Sequence, residues 1–190
     1  MTSFYSIDEL MKLGLKKVGK EVYISRKASI YSPNTITIGN HVRIDDFCIL
    51  SGKIEIENYV HIAAYSALYG GKDGIYISSF ANLSSRISVY SISDDYSGES
   101  MTNPMVPEKY KNVASAPVYI GKHAIVGSTS VIMPGTKLEE GSAFGAFSFI
   151  DHNSEPWSIN VGIPFHKIKN REKKILEFEK NMTEQFKDDN

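Results

Sequence analysis

The sequence predicts an all-β fold in which short parallel strands wind into three-sided coils, with one helix at each end of the stack. Three observations favour this fold: an apolar residue recurs at every sixth position, a small or β-branched residue recurs four positions later, and helix signals flank the repeat. A period of six fits neither a helix nor a simply alternating strand, but it suits a short strand followed by a turn. Three such sides close a triangular coil of about 18 residues, and stacked coils pair as parallel strands.

The N-terminal helix is the first element that the sequence predicts. Ser6 and Glu9 have the spacing of a capping box, in which each side chain accepts a hydrogen bond from the backbone N–H of the other residue. The apolar residues Leu10 and Leu13 follow. We therefore expect a helix within residues 1–19 that covers the open end of the first coil.

The coils are expected over residues 20–163. Their apolar positions form three runs with a spacing of six: Ile38, Ile44, Leu50, Ile56, Ile62 and Leu68; Ile77, Leu83 and Val89; Ile120, Val126, Ile132, Leu138, Phe144 and Ile150. The residues four positions later are Val42, Cys48, Ile54, Val60, Ser66, Lys72, Ala81, Ile87, Ser93, Ala124, Ser130, Thr136, Ser142, Ser148 and Ser154. We expect the first set to fill the prism interior and the second set to fit where neighbouring sides turn sharply.

A long loop interrupts the coils at residues 90–117. Loops of this length without a helix or strand pattern are more often functional than idle, so we place substrate contact here. The repeat ends at Pro164. Residues 164–190 are predicted to form a C-terminal helix and tail, with helical content over 167–186. The apolar residues expected on one face of this helix are Ile168, Ile175, Phe178 and Met182.

Composition limits the classes of function. The 190 residues suffice for one domain, and a net charge of -1 provides no overall basic field for a nucleic acid. No stretch resembles a signal peptide or a spanning helix, so we expect a cytoplasmic protein without membrane insertion. Cys48 is the single cysteine, and one thiol forms neither an internal disulfide nor a thiolate metal site. Its place in the small-residue series favours core packing over a nucleophilic role.

The hexads resemble those of a known family. The residues that carry the likeness are the pairs Ile38-Gly39, Ile120-Gly121, Val126-Gly127 and Phe144-Gly145, and the closing segment Val-Gly-Ile-Pro-Phe-His-Lys-Ile at 161–168. The pattern is similar to the left-handed parallel β-helix of hexapeptide-repeat acyltransferases, whose repeat ends in Gly-Asn-Pro-Ala and a basic residue. Ile163 and Phe165 replace the usual Asn and Ala, which leaves the Gly and Pro of that turn in place.

The loop gives a narrower likeness. Residues 90–98 read Tyr-Ser-Ile-Ser-Asp-Asp-Tyr-Ser-Gly, and residues 101–104 read Met-Thr-Asn-Pro. This resembles the sugar O-acetyltransferase branch, which includes galactoside O-acetyltransferase-like proteins. The resemblance implies transfer of an acetyl group from acetyl-CoA to a hydroxyl of a sugar, glycoside or surface-polysaccharide precursor. It also implies a homotrimer, with active sites in the clefts between neighbouring prisms.

Histidine is the natural base for such a reaction, because an alcohol attacks a thioester poorly until its proton is removed. The galactoside and maltose acetyltransferases carry this base in a Gly-His-Pro element of the loop, but residues 90–117 contain no histidine. His61 lies at a predicted corner and should point outward, so we take it as the candidate base; the alternative is a solvated corner residue. His123 is the second candidate for the cleft. Asp94 and Asp95 are candidates to orient the imidazole or to accept hydrogen bonds from the sugar, and they serve equally well as loop caps.

The other site candidates follow from the resemblance. Those expected to bring backbone against the pantetheine arm of acetyl-CoA are Gly127, Ser128, Gly145 and Ala146, for which turn formation is the alternative. Those expected near the adenosine phosphates are Lys167, Lys169 and Arg171, although such a run also occurs on solvated helix faces. The candidate substrate-binding residues are Tyr69, Tyr90, Tyr96 and Asn103. No metal is expected.

Three alternatives stay open. An N-acetyltransferase of a nucleotide-linked amino sugar uses the same donor, and an amine needs less help from a base. A zinc carbonic anhydrase-like trimer is disfavoured because His41 and His123 are three coils apart, roughly 14 Å at the spacing of parallel strands, whereas Zn–N bonds are about 2.1 Å. A non-enzymatic binding trimer would keep the fold and would not bind acetyl-CoA.

Overall fold

Three sheets form the faces of a triangular prism, as the hexad repeat predicts. The computed structural model describes residues 3–188. The first face contains β1 (Lys17–Val18), β4 (Ile36–Ile38), β7 (Ile54–Ile56), β10 (Ile75–Ile77), β15 (Val118–Ile120) and β18 (Lys137–Leu138). The second contains β2 (Tyr23–Ile24), β5 (Arg43–Ile44), β8 (His61–Ile62), β11 (Asn82–Leu83), β16 (Ile125–Val126), β19 (Ala143–Phe144), β21 (Ser158–Val161) and β22 (His166–Asn170). The third contains β3 (Ser29–Tyr31), β6 (Ile49–Ser51), β9 (Ala67–Tyr69), β12 (Ser88–Tyr90), β17 (Val131–Ile132) and β20 (Phe149–Ile150).

The strand register confirms the coil length. Ile38 lies opposite Ile56 on the first face, and Ile44 lies opposite Ile62 on the second. Neighbouring strands on each face run parallel, except that β22 returns antiparallel to β21. The architecture is therefore the expected left-handed parallel β-helix, in which each coil satisfies the backbone groups of the next.

The core follows the hexad series. All fifteen apolar anchors are buried, and the largest exposure among them is 3 %, at Phe144. Each fully buried Ile or Leu contributes roughly 1.5–3 kcal/mol. The second series supplies small buried residues such as Ala81, Ser130 and Ser148, whereas Lys72 lies in the turn before β10.

One corner of the prism carries a stack of rings, which we call the corner stack. It comprises His41, Tyr59, Phe80 and His123 from four successive coils, and Trp157 from two coils after His123, and each has a positive φ. Gly141 occupies the corner of the coil between His123 and Trp157. The ring centroids of His41 and Tyr59 are 4.5 Å apart, and those of Tyr59 and Phe80 are 5.0 Å apart. The left-handed conformation is costly for non-glycine residues. Here it turns the chain sharply while the rings pack along the prism.

The N-terminal helix is shorter than predicted. α1 spans Ile7–Lys12, and both hydrogen bonds of the Ser6–Glu9 capping box are present. The side chain of Arg26 also bonds Glu9, and this contact with the two Ser6 bonds lowers the pKa of Glu9 to about 2. The predicted helical range of 1–19 is too long, because β1 already pairs with β4 in the first coil.

The C-terminal prediction is wrong over its first residues. His166–Asn170 forms β22, and its backbone pairs with β21 where a helix is expected. The last helix, α2, spans Ile175–Asp188. Its Glu179 reaches Lys122 and His123 near β16, so α2 lies against the side of the prism. Within residues 3–188, neither helix has the length and apolar character needed to cross a bilayer.

Candidate functional site

The predicted loop is anchored by a two-stranded hairpin. β13 (Ile92–Ser93) and β14 (Ala114–Ser115) pair antiparallel at its base. Farther out, Met101 and Lys111 form a bridge, and residues 108–110 form a turn of 3-10 helix. The segment leaves the prism after β12 and returns before β15, within the predicted bounds of 90–117. The backbone of the loop is therefore hydrogen-bonded at its base, between β13 and β14, and again farther out, between Met101 and Lys111.

A cavity lies between this loop and the third face. Its volume is about 950 Å³. Three tyrosines line it, Tyr69, Tyr90 and Tyr96, together with an apolar floor of Val131, Met133 and Phe149. The charged side chains in its wall are Asp94 and Lys111. We call this space the loop cavity. It offers an apolar surface and two opposite charges, which suits a polar organic ligand.

The predicted substrate residues meet there with one exception. Tyr69 and Tyr90 are register partners on β9 and β12, and their rings stack with centroids 5.2 Å apart. Tyr96 is 91 % exposed at the rim. Asn103 instead stabilises the loop, because its side-chain oxygen accepts a hydrogen bond from the backbone N–H of Met105.

The two aspartates have different environments. Asp95 accepts hydrogen bonds from the backbone N–H of Ser97 and the hydroxyl of Ser100, which lower its pKa and brace the loop. Asp94 lines the loop cavity, and its carboxylate accepts a long hydrogen bond of 3.4 Å from the backbone N–H of Asn103. Asp94 therefore has the more available carboxylate.

Sequence reasoning missed Lys111. Its side chain is only 7 % exposed, and its Nζ lies 2.6 Å from Oε1 of Glu108. The composition of the loop could have pointed to this lysine, because Lys109 and Lys111 are the only basic residues within 90–117. A lysine that returns toward the prism on the second arm of such a loop is placed to face whatever the loop covers.

His61 lies on the second face, away from the residues that line the loop cavity. Its Nε2 is 2.8 Å from Oδ2 of Asp45, and its Nδ1 is 3.1 Å from the side-chain amide of Asn82. Burial alone would raise the pKa of Asp45, but hydrogen bonds from His61 and Arg43 outweigh it, and the pKa is lowered. The side chain of His61 is 41 % exposed and points outward as expected, but His61 lies on β8 and not at the predicted corner, which is formed by Tyr59. The carboxylate orients the ring as in the Asp–His pairs of enzymes.

His123 is buried beneath α2. It is 7 % exposed, stacks on Phe80, and places its Nε2 2.8 Å from Oε2 of Glu179. Within one chain α2 therefore covers this imidazole, and its contribution to a substrate cleft stays a prediction.

The predicted donor-binding residues Gly127, Gly145 and Ser128 lie where successive coils stack closely. An added Cβ at Gly127 would overlap the backbone of Ala146, and one at Gly145 would lie 2.9 Å from Cγ1 of Val161. Close stacking of coils thus requires both glycines. The hydroxyl of Ser128 lies 3.4 Å from that of Ser85.

Arg171 also has a structural position. Its guanidinium donates to the carbonyl oxygens of His123 and Gly141, at 2.8 and 3.1 Å, and burial lowers its pKa. Lys167 pairs with Glu155, and Lys169 lies exposed on β22. Across residues 3–188, no cluster of three or more His, Cys, Asp or Glu side chains could hold a metal ion.

The chain is similar to proteins of known activity. No protein-family model matches the sequence. It is 49 % identical over 174 residues to the dTDP-4-amino-4,6-dideoxy-D-glucose acyltransferase of Escherichia coli, covering 90 % of both chains. It is 27 % identical over 161 residues to a putative lipopolysaccharide biosynthesis O-acetyl transferase, WbbJ, of E. coli K12, covering 82 % of this chain and 80 % of WbbJ.

A solved structure agrees over nearly the whole length. AntD, an N-acyltransferase from Bacillus cereus in complex with dTDP and 3-hydroxybutyryl-CoA, superposes with a TM-score of 0.96 at 51 % identity, covering 98 % of this chain and 100 % of AntD. An AntD variant has also been crystallised with dTDP-4-amino-4,6-dideoxyglucose and coenzyme A. These relatives favour the amine alternative over the hydroxyl acceptor that the loop motif suggested.

Proposed function

Because the chain belongs to the hexapeptide-repeat acyltransferase family, we propose that it transfers an acyl group from an acyl-CoA to the amine of a nucleotide-linked amino sugar. The dTDP-4-amino-4,6-dideoxy sugar is the acceptor class that the relatives support, and acetyl and 3-hydroxybutyryl are the donor groups to test. The proposal rests on one observation above all: relatives that act on or bind such a sugar are about half identical to this chain over 90 % or more of its length.

The loop cavity suits this acceptor. An amino sugar presents a cationic or hydrogen-bonding nitrogen, for which the available carboxylate of Asp94 is the complement. The stacked tyrosines Tyr69 and Tyr90 supply a flat apolar surface with polar tips. We assign Asp94 to hold the acceptor nitrogen and these tyrosines to contact the rest of the molecule.

The reaction is a direct transfer. The lone pair of the neutral amine attacks the thioester carbonyl carbon, a C–N bond forms, and the C–S bond breaks. The proton that nitrogen loses ends on the departing sulfur, which leaves as the free thiol of coenzyme A. The roles left to the protein are to orient the amine, to stabilise the developing oxyanion and to relay that proton.

A second copy of the chain completes the site in this proposal. His61 and the loop cavity belong to different faces of one prism, so they meet only when the second face of one copy lies against the loop of a neighbour. We therefore retain the homotrimer, with the His61–Asp45 pair as the candidate proton relay. Gly127, Ser128, Gly145 and Ala146 stay the proposed path of the acyl-CoA arm, with Lys167 and Lys169 as its phosphate contacts.

The test is release of coenzyme A thiol from acetyl-CoA and 3-hydroxybutyryl-CoA with a panel of acceptors. We expect release with dTDP-4-amino-4,6-dideoxyglucose and none with simple glycosides. Asp94→Asn should lower kcat/KM about ten- to a hundredfold, as expected when a charge-assisted hydrogen bond is lost. Glu99→Gln, which changes an exposed carboxylate of the same loop outside the loop cavity, should have little effect. Release with glycosides alone would overturn the proposal.

His61 is tested separately. His61→Ala should lower turnover at least about a hundredfold, the scale of a general base, while the protein still assembles and binds acyl-CoA. Near-normal turnover would remove His61 from the reaction and leave the departing thiolate to take the proton unaided.

A further inference from the structure

We infer that Lys111 is the anion-binding residue of the loop cavity and that it recognises the diphosphate of the nucleotide-sugar acceptor. The inference rests on the proposed function and adds to it the residue that selects a nucleotide-linked sugar over a free one. Among the residues that the structure describes, Lys111 is the one cationic side chain in a cavity wall that otherwise carries tyrosines, apolar side chains, one serine and one carboxylate.

The ammonium is buried but weakly neutralised. The side chain of Lys111 is 7 % exposed, whereas its ion-pair partner Glu108 is 86 % exposed. A buried cation needs a counter-ion, yet a carboxylate surrounded by water interacts weakly with it. Glu108 therefore fits the role of a replaceable partner, which a better-desolvated anion inside the cavity would displace.

The backbone fixes this lysine against the cavity. The backbone N–H of Lys111 donates to the carbonyl of Glu108 at 3.0 Å, and that of Met101 donates to the carbonyl of Tyr110 at 2.8 Å. The bridge between Met101 and Lys111 joins the two arms of the loop at this point. The ammonium is thus presented by an ordered segment and loses little freedom when an anion binds.

The pair of opposite charges matches the ligand. An amino-sugar nucleotide has a nitrogen at one end of the sugar and a diphosphate at the other. Asp94 and Lys111 are the charged side chains of the same cavity wall, so the sugar can span the space between them. Acyl-CoA also carries phosphates, and those are the competing source of an anion for Lys111.

Calorimetric titration of the protein with dTDP and, separately, with coenzyme A tests the assignment. Lys111→Met should weaken dTDP binding about ten- to a hundredfold, as expected when a hydrogen bond to a charged group is removed, and should leave coenzyme A binding within twofold. Lys111→Arg should keep most of the affinity for dTDP. Lys109→Met is the matched control, because Lys109 lies over the exposed ring of Tyr110 on the same turn and outside the loop cavity.

The possible results of this titration distinguish the role of Lys111 from the proposed function. Unchanged dTDP binding in Lys111→Met overturns the inference, and loss of coenzyme A binding instead assigns the anion to the donor and overturns it too. Failure of the unchanged protein to bind dTDP is a different result, which refutes the proposed function itself.

A second variant covers the case in which Lys111→Met does not fold. Glu108→Gln removes the competing carboxylate and should tighten dTDP binding by up to about fivefold, the range of an exposed ion pair. If the pair serves only to hold the loop, Glu108→Gln lowers the melting temperature and leaves dTDP affinity unchanged or weaker, and the inference fails.

Discussion

Nε2 of His123 lies 2.8 Å from Oε2 of Glu179 and thereby ties the last helix to the corner stack. The other carboxylate oxygen of Glu179 pairs with Lys122, the residue before His123. One carboxylate thus binds two consecutive side chains at a turn of the prism. The imidazole is held between this carboxylate and the ring of Phe80, so its contacts within the chain join α2 to the prism.

We predict that Glu179→Gln loosens α2. Loss of hydrogen bonds to charged groups costs roughly 1.5–3 kcal/mol, and the helix has few other polar anchors among its described side chains. Hydrogen–deuterium exchange of α2 should accelerate while exchange in the coils stays unchanged. Glu184→Gln is the control, since Glu184 makes only a 3.9 Å pair with Lys180 at the surface. Equal exchange in the two variants would show that the Glu179 contacts do not hold the helix.

The same contacts predict release of the helix in acid. Burial alone would raise the pKa of Glu179, but hydrogen bonds from Lys122 and His123 lower it below its ordinary value of 4.5. A carboxyl with a lowered folded-state pKa stabilises the fold above its unfolded pKa, and that stabilisation is lost as the pH falls through the lowered value.

Trp157 can report this transition. It is the only tryptophan, it belongs to the corner stack beside His123, and Nζ of Lys173 lies 5.5 Å from its ring centroid. We expect its fluorescence to change with a midpoint below pH 4.5, and Glu179→Gln to abolish that change. A transition that persists in Glu179→Gln would assign the acid sensitivity to other carboxyls.

The repeat and its main consequences were predictable from the sequence. A buried apolar position at every sixth residue is a local rule, and it located all fifteen anchors. The Ser6–Glu9 capping box is local too, because its partners are three residues apart. The boundaries of the loop also followed, since the hexads stop at 90 and resume at 118.

Other features depend on contacts between distant residues. His123 meets Glu179 56 positions away, and Arg171 meets the carbonyl of His123 48 positions away. No spacing rule reports such pairs, so the candidate roles given to His123 and Arg171 did not account for them. Residues 166–170 have helical composition, but they form β22 because the edge of β21 offers unpaired backbone groups. Lys111 escaped notice because its burial is a property of the folded loop.

Two glycines with similar backbones should respond differently to substitution by alanine. Gly141 and Gly98 both have positive φ, at +68° and +85°. A Cβ at Gly141 would overlap the ring of Trp157, whereas a Cβ at Gly98 would meet nothing within 4 Å. The left-handed conformation costs an alanine about 1–2 kcal/mol in either place, and overpacking against Trp157 adds about 1–3 kcal/mol at Gly141 alone. Thermal melting should therefore fall more for Gly141→Ala, and equal losses would contradict the clash.

The thiol of Cys48 should be inert in the folded protein. Its side chain is fully buried at an inward corner, and Sγ lies 3.3 Å from the carbonyl oxygen of Ala63. Burial raises the pKa of Cys48 to about 11, so almost no thiolate is present at neutral pH. Iodoacetamide at pH 8 should leave the native protein unmodified over a period in which the protein in denaturant reacts fully, as measured by mass. The reacting fraction in native conditions then equals the fraction of molecules that open, because alkylation requires the thiol to leave the core. Rapid modification of protein whose circular dichroism is unchanged would show that the corner opens locally and that Cys48 is not a fixed part of the core.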